Sequence, residues 1–340
     1  MEPTDTQVGA EPDALLADAR AAIDGPGGTP LTVQPLGTDE SFVADFVLAG
    51  GAVVREGYAA DLAAFAEGTG LGVLNAFTAK GIFRWDSPYH LGTGCLQERD
   101  LALAGARPDA AVLVVGVDTD ECPPALLRGA GIEASAPGWR SVRPSELLTI
   151  ASRVRPSWGS PPTPPPQPEL FQVLWDIAQP LYKLEGAPLN PARAASDVAG
   201  VLGAEGIVCA EPGPAGWWIG RTVPTTRLGS VAIPAAARAG AAVARAFLIA
   251  AAGGTALAVV DSLSPPAEAL IERARAQGLS FVVEIWGPAG ILTDAGAHRT
   301  QGAAALAAPG VSVLEVPIDY SPTAALIDAA GPLVAWGAGI

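Results

Sequence analysis

The chain has 340 residues, 49% of them hydrophobic and only 16% charged, which is too apolar for a disordered protein and long enough for two domains with separate cores. Thirty-five acidic against twenty basic residues leave a net charge of −15, and such a surface repels a phosphate backbone unless a basic patch is folded into it. Lys80 and Lys183 are the only lysines and the arginines are scattered, so no nucleic-acid partner is expected.

Along the chain, residues 13–23 (DALLADARAAI) have helical spacing, and 45–49 (DFVLA) read as a short buried strand ending in Gly50-Gly51. A helix over 58–67 stops at Gly68 and Gly70 and is followed by a strand over 72–77 (GVLNAF). Residues 99–104 are helical, and 109–116 (DAAVLVVG) form the apolar run expected of a central parallel strand. A β-like pair at 132–134 and 139–142 precedes a helix over 145–152. Seven of the thirteen residues in PSWGSPPTPPPQP (156–168) are proline. Proline fixes φ and removes a backbone donor, so this stretch reads as an extended linker; a ligand for an SH3-like module is the alternative.

Beyond it, helices are expected over 170–181, 190–202, 235–250 and 267–277, with buried strands over 206–209, 256–260, 280–285 and 312–316. Strands that alternate with helices of this length imply βαβ units. The expected class is α/β: two doubly wound, Rossmann-like parallel-sheet domains joined by a proline-rich linker. The expected divisions are 1–152, a linker over 153–169, and 170–340.

The most apolar window, 246–260 (AFLIAAAGGTALAVV), is too short to span a bilayer, carries Gly253-Gly254 and stops at Asp261. The N-terminus, MEPTDTQVGAEPD, is the opposite of a signal peptide. A cytoplasmic protein without a membrane partner is expected. Cys95, Cys122 and Cys209 form no CxxC pair and read as inert thiols. With His90 and His298 as the only histidines, no zinc site is expected.

Ligands of open α/β sheets lie beyond the carboxyl ends of the strands. In the first half those ends carry Gly50-Gly51, Thr78, Lys80 and Gly116. Gly50-Gly51 is no GxGxxG fingerprint and is more simply a tight turn, and Lys80 either meets a phosphate or is solvated. In the second half they carry Glu211-Pro212-Gly213, Asp261-Ser262 and Trp286-Gly287. An unpaired carboxylate at the end of an apolar strand is costly, so Asp261 either caps the turn and helix that follow or touches a ligand. Glu284, inside an apolar run, is either partnered or edge-facing. No Ser-His-Asp order, HExxH or Walker motif is present.

At these segments the chain resembles the thiamine-diphosphate enzyme family, acetolactate synthase most of all. DFVLAGGAVVREGYAADLAAFAEGTGLGVLNAFTAKGIF (45–83), His90-Leu91-Gly92 and the strand at 108–116 resemble its central domain. Glu211-Pro212-Gly213 with Trp217-Trp218, and VPIDYS (316–321), resemble its cofactor domain. The resemblance covers about residues 13–150 and 186–330.

It implies a diphosphate site reading Gly-Asp-Gly and, one crossover helix later, paired Asn around a divalent metal. Here the matching positions are Val260-Asp261-Ser262 and Gly287-Pro288; one carboxylate without further oxygen ligands is a poor Mg²⁺ site. The segment implied to carry the wedge that bends the cofactor is RLGSVAIP (227–234), and the chain has no methionine beyond Met1. The family's catalytic glutamate belongs to a pyrimidine domain preceding the central one, for which the residues before Asp45 are too few, so no catalytic residue is carried over.

Three readings follow. The first is a degenerate homologue without catalysis of its own, serving as a structural or regulatory subunit. The second is one chain of a split thiamine-diphosphate lyase, with a pyrimidine-domain protein as partner. The third is a module for FAD or an adenine nucleotide at Gly50, Gly51, Thr78, Lys80 and Gly116. No cofactor is expected on the first reading, and Glu211, Gly213, Asp261 and Gly287 are then a vestigial diphosphate site. With no metal expected, thiamine diphosphate with Mg²⁺ and FAD remain the alternatives. The apolar excess of 231–260 suggests a homodimer or a hetero-complex.

Overall fold

The computed structural model describes residues 5–24, 28–132, 137–159 and 163–337. Among them are two five-stranded sheets with every pairing parallel, each built around short runs of β-branched and aliphatic residues. This is the expected α/β class.

The first sheet runs His90–Gly94, Val73–Ala76, Phe46–Ala49, Val112–Val115, Trp139–Val142 across its width. Its three middle strands (VLNA, FVLA, VLVV) are buried along their whole length, as strands covered on both faces must be. Their core joins Val47, Val53, Leu62, Phe65, Leu113 and Leu147. The strand His90–Gly94 (HLGTG) has two glycines and weak β-propensity, which is why its sequence reads as a motif and not as a strand. A small parallel pair, Phe42–Ala44 with Val154–Pro156, lies outside this sheet.

The second sheet runs Val311–Pro317, Phe281–Gly287, Ala256–Val260, Ile207–Ala210, Val231–Ala232. The expected Ala-rich helix starts only at Ala241 and runs to Ala251, because Gly240 takes a left-handed conformation (φ 86°) that breaks any helix through it. The helix Pro214–Thr222 (PAGWWIGRT) is absent from the sequence pattern; two glycines hide it, while Pro214 at its first position and the buried Trp217 and Trp218 make it. The helix Ala295–Ala307 is likewise too rich in Ala and Gly to show periodicity, and Asp294 caps it at Ala297 N, 2.8 Å away. Of the β-like pair, Trp139–Val142 is a strand, and residues 133–134 lie outside the described residues.

The chain divides into two compact units. One holds the first sheet and comprises residues 26–177, 225–229 and 324–340; the other holds the second sheet and comprises residues 1–25, 178–224 and 230–323. This is not a single cut at the prolines, of which 163–168 carry no regular structure. The helix Asp5–Asp24 packs its Leu15, Leu16 and Ala19 into the core of the second-sheet unit, beside Val243, Phe247 and Leu270. The apolar residues of 231–260 are thus largely buried within their own unit. At the other end, Gln97 is fully buried and its Nε2 donates to the carbonyls of Leu326 (2.8 Å) and Gly331 (2.6 Å), fixing the last helix to the first-sheet unit. The ring of Trp336 packs edge-on to Phe77 in that unit.

Among the described residues no helix is long and apolar enough to cross a membrane. All three cysteines are free and buried; Cys95 and Cys122 meet across 27 positions of sequence, and that contact with burial pushes the Cys95 thiol well above its usual range. Gln97→Ala should remove both hydrogen bonds to the segment 326–331, at about 1 kcal/mol each. A lowered melting temperature together with new protease cuts within 324–337 checks this; unchanged protection of that segment would count against the role of Gln97.

Candidate functional site

In a doubly wound sheet the crevice forms where successive strands are added in opposite directions. In the first sheet that point lies between Phe46–Ala49 and Val112–Val115; in the second, between Ile207–Ala210 and Ala256–Val260. Both crevices contain carboxylates of the protein itself.

At the first, Gly50 and Gly116 allow the two strand ends to meet. A Cβ on Gly50 would collide with the Gly116 carbonyl, and Gly116 has φ 59°. The Gly51 amide, at the start of the short helix Ala52–Arg55, points at both oxygens of Glu121, each 3.0 Å away. Asp118 N donates to the same carboxylate (3.1 Å), and so does the Thr78 hydroxyl. Beside it Arg55 pairs with Asp118 at 2.7 Å, and Gly28 N donates to that Asp118 oxygen. Burial pushes Glu121 up to about 7, against the pull of Thr78 and the two amides. The structure therefore brings Gly50, Gly51, Thr78 and Gly116 together, but around Glu121.

Lys80 stands elsewhere in this unit and is not solvated. It is buried, and after burial itself its charge is the main cause holding His90 neutral, down to about 3. His90 Nε2 lies 3.0 Å from Asn75 Oδ1 and its ring stacks on Phe83. Glu121 is the residue that sequence reasoning misses; its one signal is a charged residue six positions past the end of an apolar strand.

At the second crevice Glu211 and Asp261 end adjacent strands. Glu211 Oε1 accepts the Gly240 amide, and the carboxylate also takes that of Ala242, so it caps the helix Ala241–Ala251. Its other oxygen, Oε2, is buried with no partner. Asp261 Oδ1 accepts Ala215 N (3.0 Å) and the Tyr320 hydroxyl (3.3 Å). Asp261 is thus a cap, but of Pro214–Thr222; the helix that follows it, Pro265–Ala276, is capped by Ser264. Gly213 has φ 142°, and a Cβ there would strike Asp261 Oδ2. Gly287 leaves space, with no atom nearer than 4.0 Å to the Cβ it lacks. Burial pushes Glu211 up to about 7 and Asp261 up to about 6; for Glu211 the charge of Asp261 adds to the rise. Trp286 turns into the interior and donates to Glu284 at 2.9 Å.

Residues 45–126 match the family described as thiamine pyrophosphate enzyme, central domain. The match is confined to this segment of the first-sheet unit. No curated protein matches in sequence. Among solved structures, the chain is similar to the thiamine diphosphate-dependent 4-hydroxybenzoylformate decarboxylase of Rhodococcus jostii RHA1, at 16% identity and TM-score 0.60, over 94% of this chain and 65% of that one. It is similar to the benzoylformate decarboxylase of Polynucleobacter necessarius at 14% identity and TM-score 0.55, over 90% and 64%. A Mycobacterium smegmatis protein described as thiamin diphosphate-dependent gives 16% and 0.59, over 90% and 64%. At such identities the likeness is one of fold, and the chain spans less than two thirds of each of these chains.

The residues present do not fit a magnesium diphosphate. An anion held at this crevice needs free amides at the helix starts, and Ala215, Gly240 and Ala242 already bond to carboxylates. Among the described residues no three His, Cys, Asp or Glu side chains form a metal-holding group. What the pair can do is exchange protons near neutral pH and cap two helices.

Glu121→Gln tests the first crevice. Folding raises this carboxyl from 4.5 to about 7, so its proton stabilises the fold fully below about pH 4.5, and that contribution is lost as pH rises through about 7. Denaturation of both proteins from about pH 4.5 to 7.5 should show the wild type losing stability relative to the variant. Parallel pH profiles would refute the assignment.

Proposed function

We propose that this protein is a member of the thiamine-diphosphate enzyme fold that has given up its cofactor and acts as a structural or regulatory subunit. The observation that carries this reading is the engagement of Glu211 and Asp261 with the helix-start amides at the second switch point. The resemblance places the diphosphate motif at Val260-Asp261-Ser262, and there the one remaining acid already serves as a helix cap. Its partner under this reading is a second copy of the chain or a protein carrying a pyrimidine domain. The acetolactate synthase-like motifs suggest the branch of the family from which it descends. Calorimetry with thiamine diphosphate and Mg²⁺ should give no heat of binding at micromolar to millimolar ligand, and saturable micromolar binding would sink the reading.

A second reading is supported by the similarity to two decarboxylases over about two thirds of their length: one half of a split 2-oxo-acid lyase, completed by another chain. Its test is co-expression with a pyrimidine-domain protein, followed by decarboxylation assays on pyruvate and benzoylformate; turnover that depends on both chains would favour it over the first. The nucleotide module is the weakest of the three. Glu121 takes the Gly51 amide and the Thr78 hydroxyl on which a nucleotide phosphate would depend.

A further inference from the structure

One cluster of ionised side chains lies outside both crevices, in the second-sheet unit. His298, on the helix Ala295–Ala307, has its Nδ1 3.3 Å from Asp197 Oδ2 and its Nε2 3.1 Å from Glu284 Oε1. All three side chains are at most 3% exposed. Asp197 stands on the helix Pro191–Leu202 and Glu284 on the strand Phe281–Gly287.

A neutral imidazole has one N–H and one lone pair. Here both ring nitrogens face carboxylate oxygens, and a lone pair aimed at a carboxylate would be repelled. The remaining oxygens of both acids accept from other donors. Asp197 Oδ1 accepts from Arg193 Nε (3.0 Å) and Arg299 Nη1 (2.9 Å), and Glu284 Oε2 accepts from the Trp286 indole. Glu185, more than half exposed, pairs with Arg193 at 2.6 Å and carries the chain of charges to the surface. Two N–H groups on the ring satisfy every contact, and one does not.

The same groups bracket residues 288–294, which follow the strand and carry Ile291 at 93% exposure. Glu284 and Trp286 stand on the strand that enters this loop, and the last residue of that strand, Gly287, accepts from Ile318 N at 2.8 Å. Its exit is held by Ala295 N bonded to the Glu185 carbonyl (2.9 Å), by the pairing of Asp294 with Gly186, and by His298 one turn later. We propose that His298 is an imidazolium clamped between Asp197 and Glu284 and is a latch on loop 288–294, holding both ends of the loop while charged and freeing them on losing a proton. The electrostatics agree. Burial works against the charge, but Glu284 and Asp197 outweigh it and raise His298 to about 9. Since the folded value lies above the ordinary value of 6.5, the latch is fully closed below that pH and opens as pH rises through about 9.

With only two histidines, ring nitrogen-15 spectra of the whole protein decide the matter. Near pH 7 one ring should show two protonated nitrogens, and it should titrate near pH 9 together with the Trp286 indole signal; His90 should be neutral. Amide exchange, corrected for its intrinsic pH dependence, should quicken about tenfold or more in residues 288–295 across that titration while the strand Val112–Val115 stays unchanged. His298→Phe, if it folds, should show the fast loop already near pH 7. A neutral ring at pH 7, or loop exchange that does not follow the ring titration, would overturn the latch.

Discussion

The amide groups at a helix start are an anion site in waiting, and in this protein carboxylates of the chain fill it at both switch points. Glu121 answers the Gly51 amide, Asp261 the Ala215 amide, and Glu211 those of Gly240 and Ala242. A helix start with unsatisfied N–H groups carries partial positive charge. A fold of this kind needs an anion there, either from a ligand or from itself. The second solution satisfies these amides from within the chain. The cost is visible in the acids themselves, all three held above their ordinary values by burial.

Much of this was legible in the sequence, and the remainder was hidden for identifiable reasons. The central strands announce themselves because they are buried on both faces and read as continuous apolar runs. Gly50-Gly51 and Asp261 were rightly located as strand ends, and the loss of glycines around Asp261 was readable from three letters. What the letters could not carry was long-range pairing. That Asp261 would cap a helix starting 47 residues before it, and not the next one, depends on sheet order. Glu121 was passed over because its role comes from Gly51, 70 positions away. The helix over Pro214–Thr222 escaped because its stability comes from two buried tryptophans and not from propensity.

The two histidines show how far local context can move one chemistry. His90 lies beside a buried lysine and an amide oxygen and is held neutral; His298 lies between two acids and is held charged. Their sequence neighbourhoods, PYHLG and GAHRT, give no hint of this difference. It arises from the surroundings in space: burial and then the Lys80 charge hold one ring neutral, while at the other two acids outweigh burial.

The helix Asp5–Asp24 belongs with a sheet whose strands lie between residues 207 and 317, while the segment after residue 324 belongs with a sheet completed by residue 142. The two units are therefore interleaved in chain order, like two strings each tied with the other's loose end. During synthesis, the unit that contains the first sheet waits for the residues after 324, and the helix Asp5–Asp24 has no core to join until the strands from Ile207 onward have emerged. A gene split at the proline-rich segment would leave both halves short of a piece of their own core, so the natural breaks of this molecule in space are not places where it can be divided in sequence.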